Sequence, residues 1–511
     1  MSDKNLKRIY MDHAAGTPLD PRVKDIMEPY LTEEFGNPGG LYREGRRAKD
    51  AIENARKTVA GVLNCATDEI VFTSGGTEGD VLALMGVAHA YMEKGRHIVS
   101  TNIEHHAVLS TLTALKKEEF EITLVDVEPN GIVDPKKIEA ALRPDTILVS
   151  VMYANNEIGT IQPIAEIAKI VKKHGAIFHT DACQAAGYLP LDVQRLGVDL
   201  MVMNGTKMYG PKGSGALFVR KGVRIKPIFF GGAQEARRRA GTENVPAIVG
   251  FAKALKIASE ERKKESARLC ELRDYFIERL TKEIPRTILN GDARERLPNN
   301  VNVSILDIEG EATILYLDSH GIACSTGSAC TSESLDPSHV ILALGKPYEY
   351  AHASIRFSLG RETSKLDIDY VMEKLPEVVK ILRKISPITV SENATGMSHP
   401  EAFAGENLLL NWVEQDNYRT IAGSAIAYGH TIISQSPIDV NIAKQMNILL
   451  TNMDLKDDRI IMDPLTGSMG YGIEYTYSVM ERIRLTALNG DKMLSFLGVR
   501  ISSNSSARGT P

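Results

Sequence analysis

Residues 176–220 read AIFHTDACQAAGYLPLDVQRLGVDLMVMNGTKMYGPKGSGALFVR. Three short apolar runs, AIFHTD, DLMVMN and GALFVR, alternate with an amphipathic segment and a glycine-rich turn. Working outward, the same alternation extends from about residue 69 to 222 through EIVFTS, HIVSTN, EITLVDV and TILVSVMYA. Runs of this kind interleaved with amphipathic segments predict an α/β fold, a mostly parallel sheet with helices on both faces. Ligands collect where the strands of such a sheet end and loops begin. The unusual polar residues cluster there: Ser74 to Glu78, Glu104 and His105, Asn155 to Glu157, Asp181 and Gln184, and Asn204 to Lys207.

The whole chain has 511 residues, of which 43% are hydrophobic and 24% charged, and it carries a formal net charge of -5. That length implies more than one hydrophobic core. The 60 basic and 65 acidic residues form no long single-sign runs, which argues against nucleic acid or an anionic membrane as partner. Five cysteines, Cys65, Cys183, Cys270, Cys324 and Cys330, are an odd number without CxxC spacing, and fit a reducing compartment. The start, MSDKNLKRIYMDHAAG, lacks a signal-peptide core, and no apolar stretch is long enough to span a bilayer, so a cytoplasmic protein is expected.

Composition shifts divide the chain. Residues 1–20 are read as an N-terminal segment of a smaller domain, 21–250 as the large domain, and 251–390 as a smaller α+β domain with long charged helices. The polar, Gly/Pro-punctuated stretch 391–415 reads as a linker, and the Ser/Gly-rich end, 495–511, as a disordered tail. Between them, 416–494 alternates strand-like TIISQS and RIIMDP with helix-like VNIAKQMNILLTNM and EYTYSVMERIRLTAL.

The strand-end residues point to pyridoxal 5'-phosphate (PLP). Lys207 follows a strand directly and precedes a glycine-rich turn, where its amine could bind the cofactor's aldehyde carbon; Lys212 is the local rival. Asp181 ends a strand, where it could keep a pyridine nitrogen protonated or merely cap a helix. Gln184 and Asn155 could reach a ring hydroxyl. In TSGGTEGDVLALMGVAHAYM a strand, the turn with Gly76, then Thr77 and a helix offer a phosphate site. His105 could stack on the ring and carry protons.

Taken together, YMDHAAGTPLDP, FGNPGGLYREGR, VFTSGGTE, EHHAVL, NNEIGTIQPI, HTDACQAAG, KMYGPKG, GGAQEARRRAGTEN, LPNNVNVS, STGSACTS, PSHVILALG and SIRFSLGR stand in one order over residues 8–390. The series resembles the NifS/IscS group of cysteine desulfurases, within the class V aminotransferase family of fold type I PLP enzymes. The resemblance implies that Lys207 is the Schiff-base lysine, His105 the stacking residue, Asp181 and Gln184 ring partners, and Thr77 a phosphate ligand. It implies further that Thr242 reaches the phosphate of a neighbouring subunit in a homodimer. Asn204 and Thr206 stand where the family usually has serine and histidine at the phosphate, and Tyr42 where histidine is common.

Cys330 lies in STGSACTSESLDPSHV, a small, polar stretch, at the position of the family's persulfide cysteine; Cys324 is the nearby alternative, and the other cysteines read as packing residues. Arg356 is implied to clamp the carboxylate of L-cysteine. The implied products are alanine and a Cys330 persulfide that serves an iron–sulfur scaffold protein or another sulfur acceptor. A selenocysteine lyase of the same fold is the competing reading. The segment 416–494 resembles part of the TIM barrel of the corrinoid/iron–sulfur protein delta subunit of CO dehydrogenase/acetyl-CoA synthase, through SPIDVNIAKQ and DPLTGSMGYGIEYTYSVMERIR. It is too short to close an eight-unit barrel of about 250 residues. An interaction module of that system, with the tail as working part, is the reading from a different class.

Overall fold

The computed structural model describes residues 8–327 and 337–385 and, beyond them, three strands at 409–413, 431–435 and 460–463. The chain divides into two units, Met1–Asn393 and Ala394–Pro511.

In the first unit a two-residue strand, β1 (Ile9–Tyr10), precedes the apolar runs, which become β2 (Ile70–Thr73), β3 (His97–Thr101), β4 (Glu121–Val125), β5 (Thr146–Ser150), β6 (Ile177–Asp181), β7 (Leu200–Asn204) and β8 (Gly215–Val219). These seven strands, β2 to β8, form one sheet in the order β2-β8-β7-β6-β5-β3-β4. All neighbours are parallel except β8, which is antiparallel to both β2 and β7. Residues of β3, β5 and β8 are buried throughout, as expected for strands covered on both faces. From β3 the chain steps outward to β4 and returns to pair β5 on the other flank of β3. That reversal of direction opens a crevice at the strand ends, beside Glu104, His105 and Asp181.

One helix, Gly76–Tyr91, packs against β5, β6, β7 and β8. Its sequence GTEGDVLALMGVAHAY is apolar on nearly every side, and Leu82, Ala83, Leu84, Val87 and Ala88 are all buried. Glycine at position 79 permits the close approach to β7, since a Cβ there would lie 2.7 Å from Val202 Cγ1.

A second, antiparallel layer holds β9 (Thr287–Leu289) and β10 (Asn300–Ile305), with β11 (Ile322–Ala323) pairing in parallel with β1, and β12 (Ser354–Ser358) completing the order β12-β10-β9. The helix Lys365–Ile385 turns Ile368, Val371, Met372, Leu375, Val378, Val379 and Leu382 into the core. The division expected at residues 250/251 falls inside a continuous 39-residue helix, Val245–Glu283. This helix buries Phe251 and Leu255 early, and Leu269, Phe276 and Leu280 later, so one rod serves both layers. The N-terminal segment likewise touches both. Met11 N donates to Ala323 O, whereas Thr17 N donates to Thr206 O beside β7.

In the second unit β13 (Leu409–Val413), β14 (Thr431–Gln435) and β15 (Ile460–Asp463) form a parallel sheet in chain order. Strands β14 and β15 coincide with TIISQS and RIIMDP, while β13 lies within the stretch expected to be linker. The remaining linker, the helices expected in 416–494 and the tail at 495–511 lie outside the described residues.

Candidate active site

Three chain segments converge at the ends of β6 and β7. Lys207 closes the short 3-10 turn Gly205–Lys207 that follows β7, and Nζ donates to Ala15 O at 2.7 Å. The turn is fixed from two sides. Asn204 Oδ1 accepts from Thr206 N at 3.0 Å, and Thr17 Oγ1 donates to Thr206 O at 2.8 Å. Asp181 is the last residue of β6, only 6% exposed, and Oδ1 accepts from Cys183 N at 2.8 Å. Gln184, also buried, donates through Nε2 to Ala14 O at 3.0 Å. The N-terminal DHAAG segment is therefore the cover over both the lysine and the glutamine.

The third segment is the start of the Gly76–Tyr91 helix. Gly75 has φ 155°, outside the ordinary range of L residues, and open space where a Cβ would stand. Gly76 is tightly placed: a Cβ on it would lie 2.7 Å from Cys183 Sγ and 3.6 Å from Asn204 Nδ2. The helix N-terminus, with Thr77 exposed on its first turn, thus rests directly on the loops carrying Asp181 and Lys207. Unpaired N–H groups and the positive end of the helix dipole favour phosphate at such a place. A buried acid, an amine and an anion-binding helix end within one cradle fit PLP. Asn204 and Thr206 spend polar groups on the turn itself.

Around this cradle the other candidates differ. His105 caps the helix His106–Lys117, Nδ1 accepting from Ala107 N at 3.0 Å, which fixes the ring at the end of β3. Asn155 is fully buried. Its Nδ2 donates to Ile103 O at 2.9 Å, and its Oδ1 accepts from Glu157 N and Ile158 N, so a ring or substrate contact requires this turn to reorganise. Thr242 is exposed and lines a cavity of about 140 Å³ with Thr73, Ser74, Ser214 and Arg239. Arg356, on β12, is 2% exposed; Nη2 lies 2.8 Å from Asp12 Oδ1, Nη1 donates to Asn156 O, and Nε is buried without a hydrogen bond. The expected carboxylate clamp is thus already an ion pair.

Cys330 lies outside the described residues, between Gly327 and Ser338. Both of those flanks meet Glu157: Ser338 Oγ donates to Oε2, and a Cβ on Gly327 would lie 3.1 Å from the same atom. Burial pushes the thiols of Cys183, Cys270 and Cys324 up, and that of Cys65 up to about 12. None of these four suits a thiolate nucleophile. Among the described residues no group of acids, histidines and cysteines is arranged to hold a metal ion, and no helix is long and apolar enough to cross a membrane.

Several residues around the site lie within the quoted stretches but have roles that the motifs do not reveal. Asp12 and Ala15 meet their partners from far along the chain. Asp80 directly precedes the apolar run of its helix and His179 sits inside an apolar strand, and neither position carries a periodic signal. Each is found only when the helix and strand are packed together.

The aminotransferase class-V family model matches residues 9–371, and the CO dehydrogenase/acetyl-CoA synthase delta subunit model matches residues 369–508. A cysteine desulfurase IscS of Dictyoglomus turgidum is 50% identical over 381 residues, which cover 75% of this chain and 97% of the relative. A solved NifS-like protein superposes with a TM-score of 0.70 at 36% identity, over 74% of this chain and 100% of its own. The structure of SspA in complex with cysteine matches with a TM-score of 0.62 at 34% identity, over 69% of this chain and 99% of its own.

Proposed function

Given that the chain belongs to the class-V aminotransferase family, we propose that it is a PLP-dependent cysteine desulfurase, converting L-cysteine to L-alanine with a persulfide formed on Cys330. The observation that carries this is the convergence of Lys207, Asp181 and the Gly76 helix end, in a chain half identical to an IscS desulfurase. The homodimer, the Thr242 contact across it and an iron–sulfur scaffold or other sulfur acceptor belong to the same reading.

In this reading Lys207, Asp181 and Gln184 would hold the cofactor, and Gly76, Thr77, Asn204 and Thr206 would receive its phosphate. When bound, the cofactor supplies an electron sink that lets the substrate's α-proton leave and weakens its carbon–sulfur bond. Arg356 receives the substrate carboxylate and orients the thiol toward Cys330. Lys207 would be the base that takes the substrate's α-proton, and His105 would carry protons within the site. The Cys330 thiolate then attacks the substrate sulfur; an S–S bond forms, the C–S bond breaks, and the carbon takes a proton to give alanine. Mixing the purified chain with cysteine and assaying alanine and protein-bound persulfide tests the proposal. One of each per turnover is expected, and no alanine from PLP-loaded protein would overturn it.

A further inference from the structure

Two buried polar atoms face one another behind the site without a formed hydrogen bond. Asp80 Oδ1 and His179 Nε2 are 3.4 Å apart, on side chains 1% and 0% exposed, and neither atom has another partner. Asp80 lies one turn into the Gly76–Tyr91 helix. His179 precedes Asp181 by two residues on β6 and so shares its face of the sheet. On the other side of the ring, Nδ1 is 2.9 Å from Ser150 Oγ, and Ser150 O accepts from Ser100 Oγ at 2.9 Å. A polar chain thus runs from the helix through β6 and β5 to β3.

Unpaired buried polar atoms cost free energy, and a proton between these two removes both deficits. It has two places to reside: on the acid, donating to a neutral imidazole, or on the imidazole, donating to a carboxylate. The surroundings distinguish them. Asp181 on β6 and Glu104 beyond β3 face Asp80 as fellow acids, Cys183 lies beside it, and Lys207 beyond β7 is a cation acting on that thiol. Burial first, then Asp181 and Glu104, push the Asp80 carboxyl well above the ordinary range, and burial pulls His179 down to about 4. An anion and a cation so deeply buried are both disfavoured.

We propose that Asp80 is a positioning residue, an un-ionised acid that donates a hydrogen bond to His179 Nε2 and so fixes a neutral pair, rather than a second anion, behind Asp181. Ser150 Oγ then accepts from Nδ1–H, which sets the tautomer. The role depends on the reading that Asp181 partners the cofactor. A neutral donor is all that position 80 must supply, so Asp80→Asn, whose Nδ2 donates, preserves the arrangement, while Asp80→Ala leaves Nε2 without a partner.

The test compares the full-length wild type, Asp80→Asn and Asp80→Ala, each as purified with its cofactor. Nitrogen-15 spectra of labelled histidine, with His179→Gln for assignment, report the tautomer, and the pH dependence of the bound chromophore's absorbance reports the field at the ring. Expected are a neutral His179 ring protonated at Nδ1 in wild type and Asp80→Asn, and similar absorbance profiles for the two. In Asp80→Ala the absorbance midpoint shifts by about one pH unit. An imidazolium at His179 in the wild type overturns the proposal, as does an Asp80→Asn profile displaced as far as that of Asp80→Ala. Wild type without any bound chromophore would instead overturn the cofactor reading, and the nitrogen spectra would still decide where the proton resides.

Discussion

Arg356 Nη2 lies 2.8 Å from Asp12 Oδ1, joining β12 to the segment just after β1 across 344 residues of chain. The guanidinium is 3% exposed and the carboxylate 18%, so the pair is shielded from screening and any substrate carboxylate arrives at an arginine already oriented. Arg356→Lys removes the planar fork while keeping the charge, and is expected to raise KM for cysteine about 10- to 100-fold, the effect of a lost charge-assisted hydrogen bond. Asp12→Ala strands the arginine, and about 3 kcal/mol of stability is expected to be lost in urea unfolding. An unchanged KM in Arg356→Lys would remove Arg356 from substrate binding.

The two lysines of NGTKMYGPKGSG separate on structure. Lys207 closes the turn after β7 with its amine on Ala15 O, whereas Lys212 stands exposed five residues further on. Lys207→Ala is expected to lose turnover and the absorbance of the lysine–cofactor linkage, and Lys212→Ala to retain both. Borohydride reduction followed by peptide mapping checks the assignment, and a pyridoxyl group on Lys212 would reverse it.

Glu104 is buried and its carboxyl is pushed up to about 8, chiefly by burial, against hydrogen bonds from Thr101 Oγ1 and Met152 N that favour the charge. The folded state therefore keeps a proton that the unfolded state has released, and this contribution to stability declines as pH rises from about 4.5 to about 8. His179, pulled down to about 4 from 6.5, has the opposite slope below pH 6.5, and Asp80, pushed well above the ordinary range, has a slope of the same sign as Glu104, so Glu104 is isolated by comparing wild type with Glu104→Gln between pH 6.5 and 8. Across that window the wild type is expected to lose up to about 2 kcal/mol relative to Glu104→Gln, at about 1.4 kcal/mol per pH unit. Urea midpoints at several pH values measure it. Parallel profiles for the two proteins would mean Glu104 is ionised throughout.

Cys324 is buried beside Asp12 and Arg356, and burial pushes its thiol up. Cys330→Ser is therefore expected to keep the cofactor and bind cysteine while losing persulfide and most alanine production. Cys324→Ser should lose neither. Equal alanine formation by Cys330→Ser and wild type would transfer the acceptor role to Cys324.

The parallel sheet was legible because β3, β5, β6 and β7 are near-continuous apolar runs ending in polar residues, and such runs fix both strand and loop. Lys207, Asp181 and Gln184 follow from that rule together with the family motifs. The pairing partners do not. Asp12 is chosen by Arg356 across the whole first unit, and Asp80 by His179 through helix-on-sheet packing, neither of which leaves a local spacing. The helix Val245–Glu283 runs across the expected division at 250 because its amphipathic face changes its partner midway without interrupting the helix. Strand β13 was hidden because LLNWV is short and stands beside Gly/Pro-rich chain.

The two family matches overlap at residues 369–371, which places the seam inside the helix Lys365–Ile385. Packing decides to which side that helix belongs. Ile368, Val371, Met372, Leu375, Val378, Val379 and Leu382 are all buried in the first unit, and Arg383 Nη2 donates to Pro285 O. At about 1.5–3 kcal/mol for each buried aliphatic side chain, losing this face costs as much as the total stability of an ordinary domain. A chain ending at residue 364 is therefore expected to be insoluble or unfolded. One ending at residue 392, at the boundary of the two units, keeps every proposed cofactor residue, Arg356, Cys330 and the whole helix. It is expected to be a PLP-loaded, active dimer at least as soluble as the full chain, since the removed segment is too short to close a barrel around its own apolar strands. Size-exclusion mass and alanine formation for the three chains measure this; a monomeric or inactive 392-residue chain would make the C-terminal unit a working part of the desulfurase.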